Sequence, residues 1–157
     1  MANMNSTWHR SESWERNLSK PIERDLEIAR REIMDGWGTA IVRHGVVLDH
    51  EKGKGLRPAL QMARRRQNAG PCAFADKVLG LAAFRLGRAM GATVMWGEMA
   101  SSLAVSEGKR SGIEVKYHRL VPAIMNVAMD NLCPMERLAF LTGEDDLFFT
   151  RVDGIVR

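Results

Sequence analysis

The stretch Pro71–Gly91, PCAFADKVLGLAAFRLGRAMG, decides how the chain is read, because within it two adjacent charges interrupt an otherwise apolar run from Ala73 to Phe84. Phe74, Val78, Leu81 and Ala82 recur three or four apart, which predicts a central, buried helix. Gly80 and Ala83 are small enough to let that helix approach a sheet closely. On this reading Asp76 and Lys77 lie in the first helical turn, where the dipole favours Asp76 and disfavours Lys77. As sequence neighbours they cannot pair face to face, so each needs another partner or solvent.

Working outward, PIERDLEIARREIMDG (21–36) places Ile22, Leu26, Ala29 and Ile33 at helical spacing, with Pro21 at a favourable first position and Gly36 as a left-handed terminator. The period then changes. Ala40, Ile41 and Val42, a turn at His44-Gly45, and Val46, Val47 and Leu48 predict two short strands in a hairpin. A second helix starts near Pro58 and leaves at Gly70. Beyond Gly91, ATVMWGE reads as a strand, MASSLAVSEGKRSG as a helix, IEVKYHRLVP as a strand, and a last helix starts at Cys133. Helices alternating with strands predict an α/β domain, a mixed sheet sandwiched between helices. Ligands on such sheets sit where strands end and helices begin.

The chain has 157 residues, 45% of them hydrophobic, which suits one core. Residues 1–19 form a polar arm with Trp8 and Trp14, and 20–157 form a single domain. No run of eighteen apolar residues occurs, and the first twenty positions lack the apolar centre of a signal peptide. The expectation is a soluble cytoplasmic protein with no membrane partner. Cys72 and Cys133 are too few for a disulfide scaffold and are expected as free thiols. The net charge of +4 suits an acidic small molecule or nucleic acid without choosing between them.

Chemistry concentrates at predicted helix starts. Cys133 precedes Pro134, with Glu136 three residues on, a pattern that mimics a capping box. A sulfur at the positive end of a helix favours its thiolate, while Glu136 opposes that. Arg57 lies beside Pro58 and is an anion contact near a helix N-terminus. GKGLRP lacks the frame of a phosphate loop. Arg64-Arg65-Arg66 reads as a solvated helix end, or as a nucleic-acid contact without interleaved aromatics. His118 reads as packed rather than catalytic.

The segments ADKVLGLAA, LVPAIMN and LCPME, with the order of elements around them, resemble a domain-of-unknown-function family, number eighteen ninety-three, over roughly residues 22–142. The resemblance implies a cytidine-deaminase-like fold, a three-layer α/β/α sandwich. Zinc deaminases carry H-x-E at one helix start and P-C-x-x-C at the next. Here Phe74-Ala75-Asp76 stands at the His-x-Glu positions and GEMASSLA offers Glu98, Ser101 and Ser102 without cysteine, so no metal and no cofactor is expected. The implied function is a zinc-free domain that binds a small anionic or nucleotide-like ligand, with Asp76, Lys77 and Cys133 as the residues for any catalysis and Arg57, Ser101 and Glu136 as ligand contacts. The alternative is a non-catalytic module that contacts nucleic acid or protein through the basic helix end and the arm. Self-assembly through helices is a further implication of the resemblance.

Overall fold

The computed structural model describes residues 21–156. Helix α1 occupies residues 21–34 of these, and the arm over 1–19 lies outside them. Then follow β1 (Thr39–Arg43), β2 (Val46–Glu51), α2 (Arg57–Arg66), β3 (Cys72–Leu79), α3 (Leu81–Met90), β4 (Ala92–Ser101), α4 (Ser102–Ser111), β5 (Glu114–Val121), α5 (Pro134–Leu141) and α6 (Asp145–Ile155).

The hairpin forms as its sequence predicts. His44 (φ 52°) and Gly45 (φ 76°) supply the paired positive dihedrals of a tight primed turn. The Asp25 carboxylate accepts both their N–H groups, at 3.1 and 2.7 Å, and so pins α1 to the turn.

The sheet order is β2-β1-β3-β4-β5. Strand β1 is antiparallel to β2 and β3, whereas β3, β4 and β5 run parallel. Three helical crossovers, α2, α3 and α4, therefore join parallel strands while stepping across the sheet in one direction. A constant crossover hand puts all three on the same face. The packing agrees: Leu60, Met62, Phe84, Leu86 and Ala104 share one core with Ile41, Phe74 and Met95, and α5 and α6 add Ala139, Phe148 and Val152 to it. On the other face, among the described residues, α1 alone packs Leu26, Ala29 and Ile33 against Val42, Ala73, Ala75, Val94 and Trp96. The α/β sandwich with a mixed sheet stands.

The central helix does not begin where its periodicity predicts. Cys72–Leu79 is a strand, and only Leu81–Met90 is helical, with Gly80 as N-cap. Residues 72–76 are buried facing both core clusters, so the strand shows no polar alternation and its apolar spacing imitates a helix. Asp76 and Lys77 thus belong to a strand, not to a helical first turn. Phe74-Ala75-Asp76 likewise opens no helix.

Candidate functional site

Moving residues 72–79 into a strand redistributes the predicted site. Period-two alternation turns Asp76 toward the face covered by α2 and α3 and Lys77 toward the face of α1. Asp76 is 3% exposed. Burial lifts its carboxyl from 3.8 to about 7, against the downward pull of the Val78 N–H and the Thr39 hydroxyl. Its Oδ1 accepts the Val78 N–H at 3.0 Å. Lys77 is exposed.

Glu136 does not close a capping box on its own helix; Cys133 is the N-cap of α5 but makes no side-chain cap bond. The Glu136 carboxylate crosses instead to α3, where it accepts the N–H groups of Leu81 (2.8 Å) and Ala82 (2.7 Å). A carboxylate at a helix N-terminus satisfies orphan donors and complements the dipole. Burial nevertheless raises its pKa, with the two N–H groups pulling the other way. Gly80 makes room for it, since a Cβ there would stand 2.6 Å from the carboxylate.

The remaining predicted residues divide. Ser101 is fully buried, and its hydroxyl accepts the Ala104 N–H at 3.2 Å as the cap of α4. Arg57 is exposed at the first turn of α2. Cys133 is half-buried, its N–H bonded to the Ile124 carbonyl at 2.9 Å. It heads a helix packed on α3, on the opposite side of the sheet from Lys77. The residues named from sequence therefore do not line one hollow. Both cysteines are free.

Arg64 to Arg66 are engaged within the chain. Arg64 binds Asp153, Arg65 binds Asp49 (3.1 Å) and Glu51 (2.7 Å), and Arg66 binds Asp49 (3.1 Å). A cluster whose charge is spent on neighbouring carboxylates offers little to a phosphate backbone.

A cavity of about 400 Å³ lies at the C-terminal ends of the parallel strands, lined by Lys77 and Val78 of β3, Glu98 and Met99 of β4, and His118 and Arg119 of β5. Asp76 pairs with Gly97 and Val78 with Met99, which sets Lys77 beside Glu98; Gly97 pairs with Tyr117 and Met99 with Arg119, which sets His118 on its other side. The three side chains form a row across adjacent strands about 5 Å apart. Among the described residues Lys77, Glu98, His118 and Arg119 enter no ion pair. Among the described residues the Arg119 Nη2 approaches only the Met99 sulfur, at 3.1 Å, a weak acceptor. Of this set, sequence reasoning nominated Lys77 alone. The signal for the others was their place at the ends of parallel strands, which becomes visible only once β3 is recognised as one of them.

The profile of the family described as Domain of unknown function (DUF1893) matches residues 29–154. The chain belongs to this family. A solved structure of a DUF1893 family protein from Thermotoga maritima is similar to it, with a TM-score of 0.70 at 17% identity, covering 82% of this chain and 86% of that one. At that identity the likeness is one of fold alone. No curated protein matches the chain. In this DUF1893 chain, α2 and α3 both follow parallel strands and so begin at the same sheet edge. Their starts read Leu56-Arg57-Pro58 and Gly80-Leu81-Ala82. Neither carries a zinc ligand, and no group of three or more His, Cys, Asp or Glu side chains among the described residues could hold a metal ion. The donor set does not fit the zinc of the deaminases. No helix among the described residues is long and apolar enough to cross a membrane.

Proposed function

We propose that this chain is a zinc-free, cytidine-deaminase-like domain that binds a small anionic ligand in the cleft formed by Lys77, Glu98, His118 and Arg119. The scaffold part is supported by two consecutive helices that begin side by side at one sheet edge, the arrangement that H-x-E and P-C-x-x-C helix starts require in zinc deaminases. The binding part rests on one observation: Lys77 and Arg119 open into a single cavity at the strand ends, with no protein carboxylate within ion-pair distance among the described residues. Open α/β sheets bind ligands at the carboxyl ends of their strands, and uncommitted cations there attract an anion. The reading is one of binding. Asp76 is walled off by the core, and Cys133 belongs to the far side of the sheet, so neither reaches a ligand held by Lys77.

Calorimetric titration with inorganic phosphate, a nucleoside monophosphate and the matching nucleoside tests this. Either phosphate should bind more tightly than the nucleoside, and Lys77→Ala and Arg119→Ala should each weaken phosphate binding about tenfold, or roughly 1.4 kcal/mol. Equal binding by both variants and the parent chain would remove the cleft from consideration.

A further inference from the structure

Resting on that reading of the cleft, we infer that its ligand is amphoteric, carrying an anionic group for Lys77 and Arg119 and an ammonium group for Glu98. Several acids elsewhere in the molecule hold arginines. Glu27 holds Arg30, Asp49 holds Arg65 and Arg66, Glu107 holds Arg88 and Arg110, and Asp145 holds Arg85 and Arg88. Glu98 is flanked in the sheet by Lys77 and His118, yet it pairs with neither among the described residues.

Its position holds it partly out of bulk water. Strand β4 lies inside the sheet, bonded to β3 on one side and β5 on the other, and Glu98 is half-buried. A purely anionic ligand held by Lys77 would bring its charge against the neighbouring carboxylate, and like charges this close oppose binding. A ligand with a cationic nitrogen a few ångströms from its anion turns the same carboxylate into a counter-charge. The row of Lys77, Glu98 and His118 spans two inter-strand spacings, about 10 Å, which fits a small two-ended molecule. Within a set of anions, Glu98 then acts as the selecting residue, rejecting those that leave it unpaired.

Phosphoethanolamine and ethyl phosphate differ by one ammonium group and make the comparison direct. Titrated into the full chain at pH 7 and low salt, phosphoethanolamine should bind at least about tenfold more tightly, one ion pair's worth of selectivity. Glu98→Gln should bring the two affinities within about twofold by strengthening ethyl phosphate and weakening phosphoethanolamine. Lys77→Ala should weaken both and keep their ratio. Equal affinities in the parent chain, or a preference that survives Glu98→Gln, overturns the inference while leaving the anion cleft intact. Failure of both probes to bind overturns the cleft reading and the inference with it.

Discussion

The Glu136 carboxylate accepts the Leu81 N–H at 2.8 Å, so a side chain from α5 closes the start of α3, 55 residues earlier in the chain. With the companion bond to Ala82 it joins α5 to the first turn of α3, directly after the strand that carries Lys77. Glu136→Ala leaves two buried N–H groups without a partner and should cost about 3 kcal/mol, the scale of lost hydrogen bonds to a charged group. Glu136→Gln keeps one good acceptor and should cost about half as much. Urea denaturation reads both. A Glu136→Ala variant as stable as the parent chain would show that the link carries no load.

Asp76 sets a pH dependence with a definite sign. Its carboxyl titrates at about 7 in the folded chain against 3.8 unfolded, so between those values the folded state keeps a proton that the unfolded state has lost. Stability contributed by the neutral form is whole below pH 4, falls as pH rises toward 7, and stays lost above it. Glu136, also raised by burial, adds a slope of the same sign. Glu27 and Glu107, held at about 2 chiefly by their bonds to Arg30 and Arg110, act only below about 4.5. Asp76→Asn retains an oxygen for the Val78 N–H and should flatten the decline between pH 4 and 7. Denaturant midpoints across that range, parent against variant, decide; parallel curves exclude Asp76 as the source.

The two thiols should differ in reactivity. Cys72 is 4% exposed, and burial, aided by the nearby Asp25 carboxylate and opposed by Arg43, pushes its thiol up to about 11. Cys133 is half-buried at the start of α5. Ellman's reagent at pH 8 should modify one thiol in the native chain and the second only on unfolding, since a buried protonated sulfur is a poor nucleophile. Cys133→Ser should abolish the fast phase, and its persistence would assign that phase to Cys72.

Much of the fold is written in local pattern. Gly36 follows the end of α1, His44-Gly45 specifies the turn, and Ser101 supplies the oxygen that caps α4. These features concern neighbours within a few residues, where dihedral preferences and hydrogen bonds act directly. Cys72–Leu79 escapes the same logic because a strand buried on both faces has no polar face to betray its period. The site escapes for a related reason. Lys77, Glu98 and His118 are separated by 21 and 20 residues, and only parallel pairing makes them neighbours. Glu136 could be seen at a helix start, but the helix it serves is another one.

Among the described residues helix α1 stands alone on its face of the sheet, and its connection to β1 is the short segment 35–38, where Gly36 has a φ of 106°. Its anchors include Leu26, Ala29 and Ile33 with the partly buried Ile28, the Asp25 bonds to the hairpin turn, and the contact of Glu32 with His50 of β2 at 2.8 Å. An identical set of receptors exists on every other copy of the chain. Straightening residues 35–38 would let α1 leave its own sheet and seat on a neighbour's, so the geometry that holds this helix also equips it for domain swapping at high concentration.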